Sequence, residues 1–214
     1  MRTLFKTVVI LFVSMGLPGP IIKALSDQPS SAETIDVEHG TATFIVGTNM
    51  PGLSVKGKST ALQAHVQVRH TGDGVIVDRI EASLPVKTLA TGIGLRDQHM
   101  REYVFTTPAG EIPDVHFESE NAVCPGVAPG REASCRVSGP LTIRGVTRNF
   151  SLVLKVREAS AAGAFRASGD GLIKLSDYGI DAPTQFGVKT ANEIEVHIDV
   201  PEAGVRTAAQ RSGQ

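Results

Sequence analysis

Among its 214 residues the chain has no tryptophan, two tyrosines and eight phenylalanines. Large core fillers are therefore scarce, which favours an interior that is not filled solid, although a β-sandwich core would have much the same composition. No charge of one sign dominates. The 21 Lys and Arg residues stand against 22 Asp and Glu, so nothing electrostatic points to nucleic acid or an anionic membrane surface as the main partner. There is no Gly-x-Ser-x-Gly elbow, no His-Glu-x-x-His pair and no phosphate loop, and the carboxylates show no paired arrangement, so no catalytic residue is assigned. The six histidines are dispersed and none forms an i,i+4 pair, and His116 and His197 fall on the polar phase of their segments. No metal site is expected from them.

Cysteine occurs twice. Cys124 and Cys135 bracket a run rich in Pro and Gly between two strand-like segments, with no Cys-x-x-Cys and no adjacent His. The pattern reads as a disulfide staple across a hairpin, with a metal site or reactive thiol as the alternative. The first 26 residues have a basic start at Arg2 and Lys6, an apolar run and the small-residue sequence Ala24-Leu25-Ser26. They read as a cleaved secretory signal peptide. The apolar run is about half of the roughly 20 residues a spanning helix needs, and Gly16, Pro18, Gly19 and Pro20 break it. A periplasmic or secreted location follows as the expectation. Residues 27–34 and 204–214 are small and polar, and read as a disordered linker and tail around one domain over 35–203.

Almost every segment of that domain alternates with period two. Phe150, Leu152, Leu154 and Val156 alternate with Ser151, Lys155 and Arg157, while Ile194, Val196 and Ile198 alternate with Glu193, Glu195 and His197. Further strands are expected over 42–48, 63–70, 75–88, 114–123, 135–144 and 164–175. A Gly-centred hairpin is expected within 139–150, and Gly-containing turns at 71–74 and 161–163 favour antiparallel neighbours. Residues 92–107 lack alternation and predict a short helix around 95–103, and a second single turn is expected at 59–62. The fold class is thus all-β. Eight antiparallel strands remove their edges by closing into a barrel, which is wide enough to hold one small ligand.

Four segments, in order, add a resemblance. Thr91-Gly92 with Arg96-Asp97-Gln98-His99-Met100, Ile112-Pro113-Asp114-Val115-His116-Phe117, Gly139-Pro140-Leu141-Thr142-Ile143-Arg144-Gly145-Val146-Thr147 and Ser176-Asp177-Tyr178-Gly179-Ile180 resemble the signature segments of the YceI-like polyisoprenoid-binding family. The departures are Glu102-Tyr103-Val104-Phe105 in place of a Phe-Phe-Asp step and Gly47-Thr48 in place of a Lys-His pair. They bear on ligand detail rather than on the fold. The resemblance implies a lipocalin-like up-and-down barrel with an isoprenoid chain in its lumen.

By alternation, the lining of such a lumen would include Phe44, Val46, Val66, Ile80, Ala82 and Leu84 from the first half of the chain. Val115, Phe117, Val137, Leu141, Leu152, Leu154, Ile173, Ile194, Val196 and Ile198 would come from the second. This surface suits a long apolar guest such as a polyprenyl phosphate or quinone, at about 0.8 kcal/mol per buried methylene before ordering costs. Arg96, Asp97 and His99 form the one concentrated polar cluster. Two roles stay open: contact of Arg96 and His99 with a ligand head, or a structural role in which Asp97 caps the helix and pairs with Arg96 or a neighbouring loop. The expected activity is non-catalytic transport or storage of an isoprenoid or lipid, with no cofactor beyond that guest. An exposed apolar mouth favours a homodimer, and transient membrane contact is left open. The alternatives are a solid-cored secreted β domain acting through its surface in stress response or adhesion, and an enzyme using Asp97 and His99 as an acid–base pair.

Overall fold

The structure, a computed structural model, describes residues 33–71, 74–127, 131–158 and 164–207. The expected signal peptide, residues 27–32, residues 208–214 and the turn at 161–163 lie outside the described residues, as do 72–73 of the turn at 71–74. The strands are β1 (Glu33–Thr48), β2 (Ser54–Thr71), β3 (Gly74–Leu84), β4 (Val115–Pro125), β5 (Glu132–Ile143), β6 (Val146–Glu158), β7 (Ala164–Lys174), β8 (Thr184–Gln185) and β9 (Val188–Thr207). Each long strand pairs antiparallel with the next, β7 passes to β9, and β9 returns to β1. The eight long strands thus close a barrel without free edges, and β8 adds only a short hairpin to β9.

The expected hairpin turns at Arg144 and Gly145. Their φ values of 53° and 76° define the type I′ geometry that suits a two-residue connection between twisted strands. The Cys124–Cys135 disulfide, with Cα atoms 4.8 Å apart, ties the far ends of β4 and β5. That staple matters locally, because among the described residues the β4–β5 ladder pairs only His116 with Thr142 and Phe117 with Leu141. The Ser119 hydroxyl, donating to the Ser138 carbonyl at 2.8 Å, closes the seam between ladder and disulfide.

Four expectations need correction. The segment at 59–62 is a bulge inside β2, where the register against β1 shifts around Gly40. The Ser59 hydroxyl accepts from the Ala61 amide at 3.1 Å, a local bond that imitates a turn in the sequence pattern. The strand expected over 75–88 stops at Leu84, because Pro85 has no N–H to give the ladder. A 3-10 turn follows at Val86–Thr88. The barrel also extends at both ends. Glu33 and Thr34, expected in the linker, pair with β2 and β9, and β9 reaches Thr207 inside the expected tail. The helix is α1 (Gly94–Met100), and it continues into a π-helical turn at Arg101–Phe105.

The core has two parts. At the end holding the disulfide, Val68, Cys124 and Val137 are almost inaccessible and form a packed floor with Ile35, Val75, Val77, Phe165 and Ala203. Near the other end, Leu141, Ile143, Leu175, Tyr178 and Ile180 form a second cluster, in which the 3-10 turn Leu175–Tyr178 packs against β5. The long connections 85–114 and 175–187, together with the turn at 49–53, gather at this second end and build the mouth.

Candidate functional site

Above the floor the inward side chains do not meet. They enclose a cavity of about 1310 Å³ that runs from Phe165, Val127 and Cys124 to a mouth framed by Leu53, Tyr103 and Phe186. A solid-cored domain is therefore not what these strands build. Every side chain assigned to the lumen by alternation lies on this wall: Phe44 and Val46 from β1, Val66 from β2, and Ile80, Ala82 and Leu84 from β3. Val115 and Phe117 come from β4, Val137 and Leu141 from β5, Leu152 and Leu154 from β6, Ile173 from β7, and Ile194, Val196 and Ile198 from β9. Sequence reasoning missed Ile35, Val37, Val55, Val75, Val77, Tyr178 and the segment around Phe186. Ile35-Asp36-Val37 and Val75-Ile76-Val77 carried a weak alternation signal. The residues from Tyr178 to Phe186 carried none.

The rings of Phe117 and Phe150 meet edge to face at 5.9 Å in the wall. Two glycines make room for aromatic rings. A Cβ at Gly57 would lie 2.4 Å from the Phe44 ring, and one at Gly171 would lie 2.6 Å from the Phe150 ring. The Phe44 and Phe150 rings therefore sit over glycines of the neighbouring strand.

Polar lining concentrates at the mouth, in Thr91, Arg96, His99, Arg144, Asp181 and Gln185. Asp97 and Arg96 converge on Thr91. The Asp97 carboxylate accepts from the Thr91 amide at 2.7 Å and from the Thr91 hydroxyl, while Arg96 donates from Nε to that hydroxyl at 2.8 Å and from Nη2 to the Thr91 carbonyl at 2.9 Å. Burial pushes the Asp97 carboxyl up, but the bonds from the Thr91 hydroxyl and amide, with Arg101 and Arg96 nearby, outweigh it and hold it below the usual carboxylate range. The helix-capping geometry expected for Asp97 does not occur. Ile93 is the N-cap, and Asp97 and Arg96 meet through Thr91 rather than directly, so of the expected structural role the pairing of Asp97 with a neighbouring loop is the part that occurs.

His99 lines the same mouth. Its Nδ1 lies 2.7 Å from Gln185 Nε2, so the helix and the β8–β9 hairpin are joined across the opening. The Thr190 hydroxyl is buried in the mouth wall with no hydrogen-bond partner among the described residues. Burial, then the neighbouring Asp177, raises the Tyr178 phenol, against an opposing effect of Arg148. Among the described residues no three His, Cys, Asp or Glu side chains converge as metal ligands.

Comparison with known proteins places this architecture. The profile of the YceI-like domain matches residues 34–201. No curated protein matches the chain by sequence. Among solved structures, a polyisoprenoid-binding domain from Saccharophagus degradans implicated in plant cell wall breakdown aligns with a TM-score of 0.60 at 16% identity, over 82% of this chain and 99% of that one. Burkholderia cenocepacia BcnA aligns with a TM-score of 0.57 at 15% identity, over 78% of this chain and 96% of that one. A Campylobacter jejuni YceI protein aligns with a TM-score of 0.55 at 20% identity, over 72% and 87% respectively. At these identities the structural likeness speaks for the fold, and the profile match, which covers most of the chain, makes the protein a member of the YceI-like domain family.

Proposed function

We propose that this protein binds one long apolar isoprenoid or lipid-like molecule in its barrel and carries or stores it unchanged. The observation that carries this reading is the continuous cavity, predominantly apolar from floor to waist, with its charged lining at the mouth. At roughly 30 Å³ per water-sized unit, its volume would take on the order of forty such units, the scale of a polyprenyl chain rather than of a single ring. Removal of the chain from water supplies the affinity, and a sugar would leave its hydroxyl groups unmatched along this wall. The polyisoprenoid-binding domain from Saccharophagus degradans supports the same class of guest.

The tail occupies the lumen and the head, a phosphate or a quinone carbonyl, sits at the mouth. Arg96 retains N–H groups beyond those directed at Thr91. Release follows from separation of the helix from the β8–β9 hairpin at the His99–Gln185 bond. No group in the proposal transforms the guest, and the protein acts by equilibrium sequestration. The basic, apolar N-terminal segment and the disulfide favour a periplasmic or secreted setting. Native mass spectrometry of the exported protein purified from its own compartment, followed by organic extraction, tests the reading. A discrete prenyl or acyl adduct is expected. A bare mass, together with no uptake of added quinone or polyprenyl phosphate, would overturn it.

A further inference from the structure

The turn between β8 and β9 consists of Phe186 and Gly187 alone, with φ values of 50° and 80°. This is a type I′ turn, whose first position favours Asn, Asp or Gly because a bulky side chain at positive φ is strained. Phenylalanine holds that position here and is 92% exposed, so the chain accepts a costly conformation to present a ring that the fold scarcely covers.

Phe186 does not stand alone. The adjoining β1–β2 turn exposes Met50 and Leu53, and it is rigid: Thr48 Oγ1 donates to the Leu53 carbonyl at 2.9 Å and accepts from the Met50 amide at 3.2 Å. Asn49 joins the two turns, with its amide donating to the Lys189 carbonyl and its Oδ1 accepting from the Lys189 amide, both at 2.9 Å. Across the mouth, the helix segment exposes Ile93, Leu95 and Tyr103 and is tied to the hairpin by the His99–Gln185 bond. Exposed large apolar side chains thus ring the opening, on elements linked to one another by hydrogen bonds, and three of them continue into the cavity wall.

Charge distribution points to the occupant. Over 47–56 and 184–192, the only charged side chains are Lys56 and Lys189, both exposed, and the helix segment 93–103 adds no net charge, with Arg96 and Arg101 against Asp97 and Glu102. Neither has an ion-pair partner among the described residues, whereas the ion pairs described, such as Arg69–Asp78 and Arg166–Glu202, lie toward the floor or around the middle of the barrel. Apolar tips with lysines just behind them match the layering of a phospholipid surface, with acyl chains beneath anionic phosphate.

From this we infer that the mouth rim docks on a phospholipid bilayer, with Phe186, Met50, Leu53 and Leu95 at the acyl boundary and Lys56 and Lys189 at the phosphates. The barrel then opens toward the phase in which an isoprenoid guest dissolves. The inference rests on the binding proposed above for the direction of exchange, but the docking itself can be read without any guest.

The test is flotation with vesicles of phosphatidylethanolamine and phosphatidylglycerol, run beside uptake of a prenyl quinone from detergent dispersion. The wild-type chain floats. A Met50→Ser/Leu95→Ser variant, altered only at rim positions outside the cavity wall, floats at least about tenfold less and takes up dispersed quinone as before. Phe186→Asn also floats less and melts no lower, because Asn suits the turn. Val123→Ser/Leu172→Ser, on the exposed outer wall, floats like wild type. Three results overturn the docking: a wild type that stays with the buffer while taking up quinone, rim variants that float undiminished, or a dimer in sedimentation velocity that the rim variants dissolve, which assigns the face to a second copy. Flotation with no quinone uptake supports docking and removes the proposed guest instead.

Discussion

Ala64 and Ala82 are cross-strand partners on β2 and β3, and both line the cavity, so the wall is thin at this point. Replacing Ala82 with tryptophan projects an indole into the space assigned to the guest. The ring takes up roughly four water-sized units of the cavity. A guest displaced by that amount loses the burial of about four methylenes, or about 3 kcal/mol, which is a drop of about two orders of magnitude in affinity. The fold itself loses nothing, because the indole enters empty space, so the melting temperature of the empty protein stays level or rises. As the natural chain has no tryptophan, the new residue is also the only indole fluorophore. Its emission lies to the blue of a solvent-exposed indole in the empty protein and is quenched on addition of a prenyl quinone at high concentration. Unchanged quinone affinity together with water-like emission would refute the reasoning, because it would place position 82 outside any guest-holding space.

Other outcomes follow from the same geometry. Loss of the disulfide in Cys124→Ala/Cys135→Ala removes the constraint on a loop with a sequence separation of 11. It lowers stability by about 3 kcal/mol, which calorimetry reads as a fall in Tm of roughly 6–12 °C, and a fall of less than about 2 °C contradicts the role given to the staple. Asp97→Ala strands the Thr91 amide and costs about 1–3 kcal/mol at neutral pH in denaturant titration. Since the folded carboxyl titrates below its unfolded value of about 3.9, its contribution is present above that pH and fades only as pH falls through the lower folded value. The gap between wild type and variant therefore holds at pH 5 and narrows only in stronger acid, and a gap already closed at pH 5 argues against the assignment. Gly139→Ala places a Cβ against the Glu118 carbonyl oxygen in the sparsely bonded β4–β5 seam. A loss of at least about 3 kcal/mol is expected, and a variant that melts like wild type shows that the seam has slack.

Period-two alternation carried most of the barrel and its whole assigned wall, because a side chain's face in a strand follows directly from its place in the alternation. The I′ hairpin at Arg144-Gly145 was legible for the same local reason. What was lost depended on partners far along the chain. Ser59 to Leu62 reads as a turn, and only the register against Gly40 in β1 makes it a bulge. Asp97 beside Arg96 reads as a helix cap that pairs with Arg96 or a neighbouring loop, and only the structure identifies the partner of both side chains as Thr91 in the loop ahead of the helix. The segment from Tyr178 to Phe186 has no period at all. Its place in the mouth comes from packing of the Leu175–Tyr178 turn and from the links of the β8–β9 hairpin to Asn49 and His99. The polar mouth was therefore the least legible part of the site, since it is assembled from connections rather than from strands.

The measurement that bears most directly on the central claim is affinity as a function of chain length, by titration calorimetry with a series of prenyl quinones sharing one head and differing in the number of isoprene units. A tail held in the lumen gains affinity steadily with each added unit, until the chain fills a cavity of about 1310 Å³ and the gain levels off. Affinity indifferent to tail length from the shortest member onward would contradict the account, since it would place recognition in the head and leave the lumen without a part in binding.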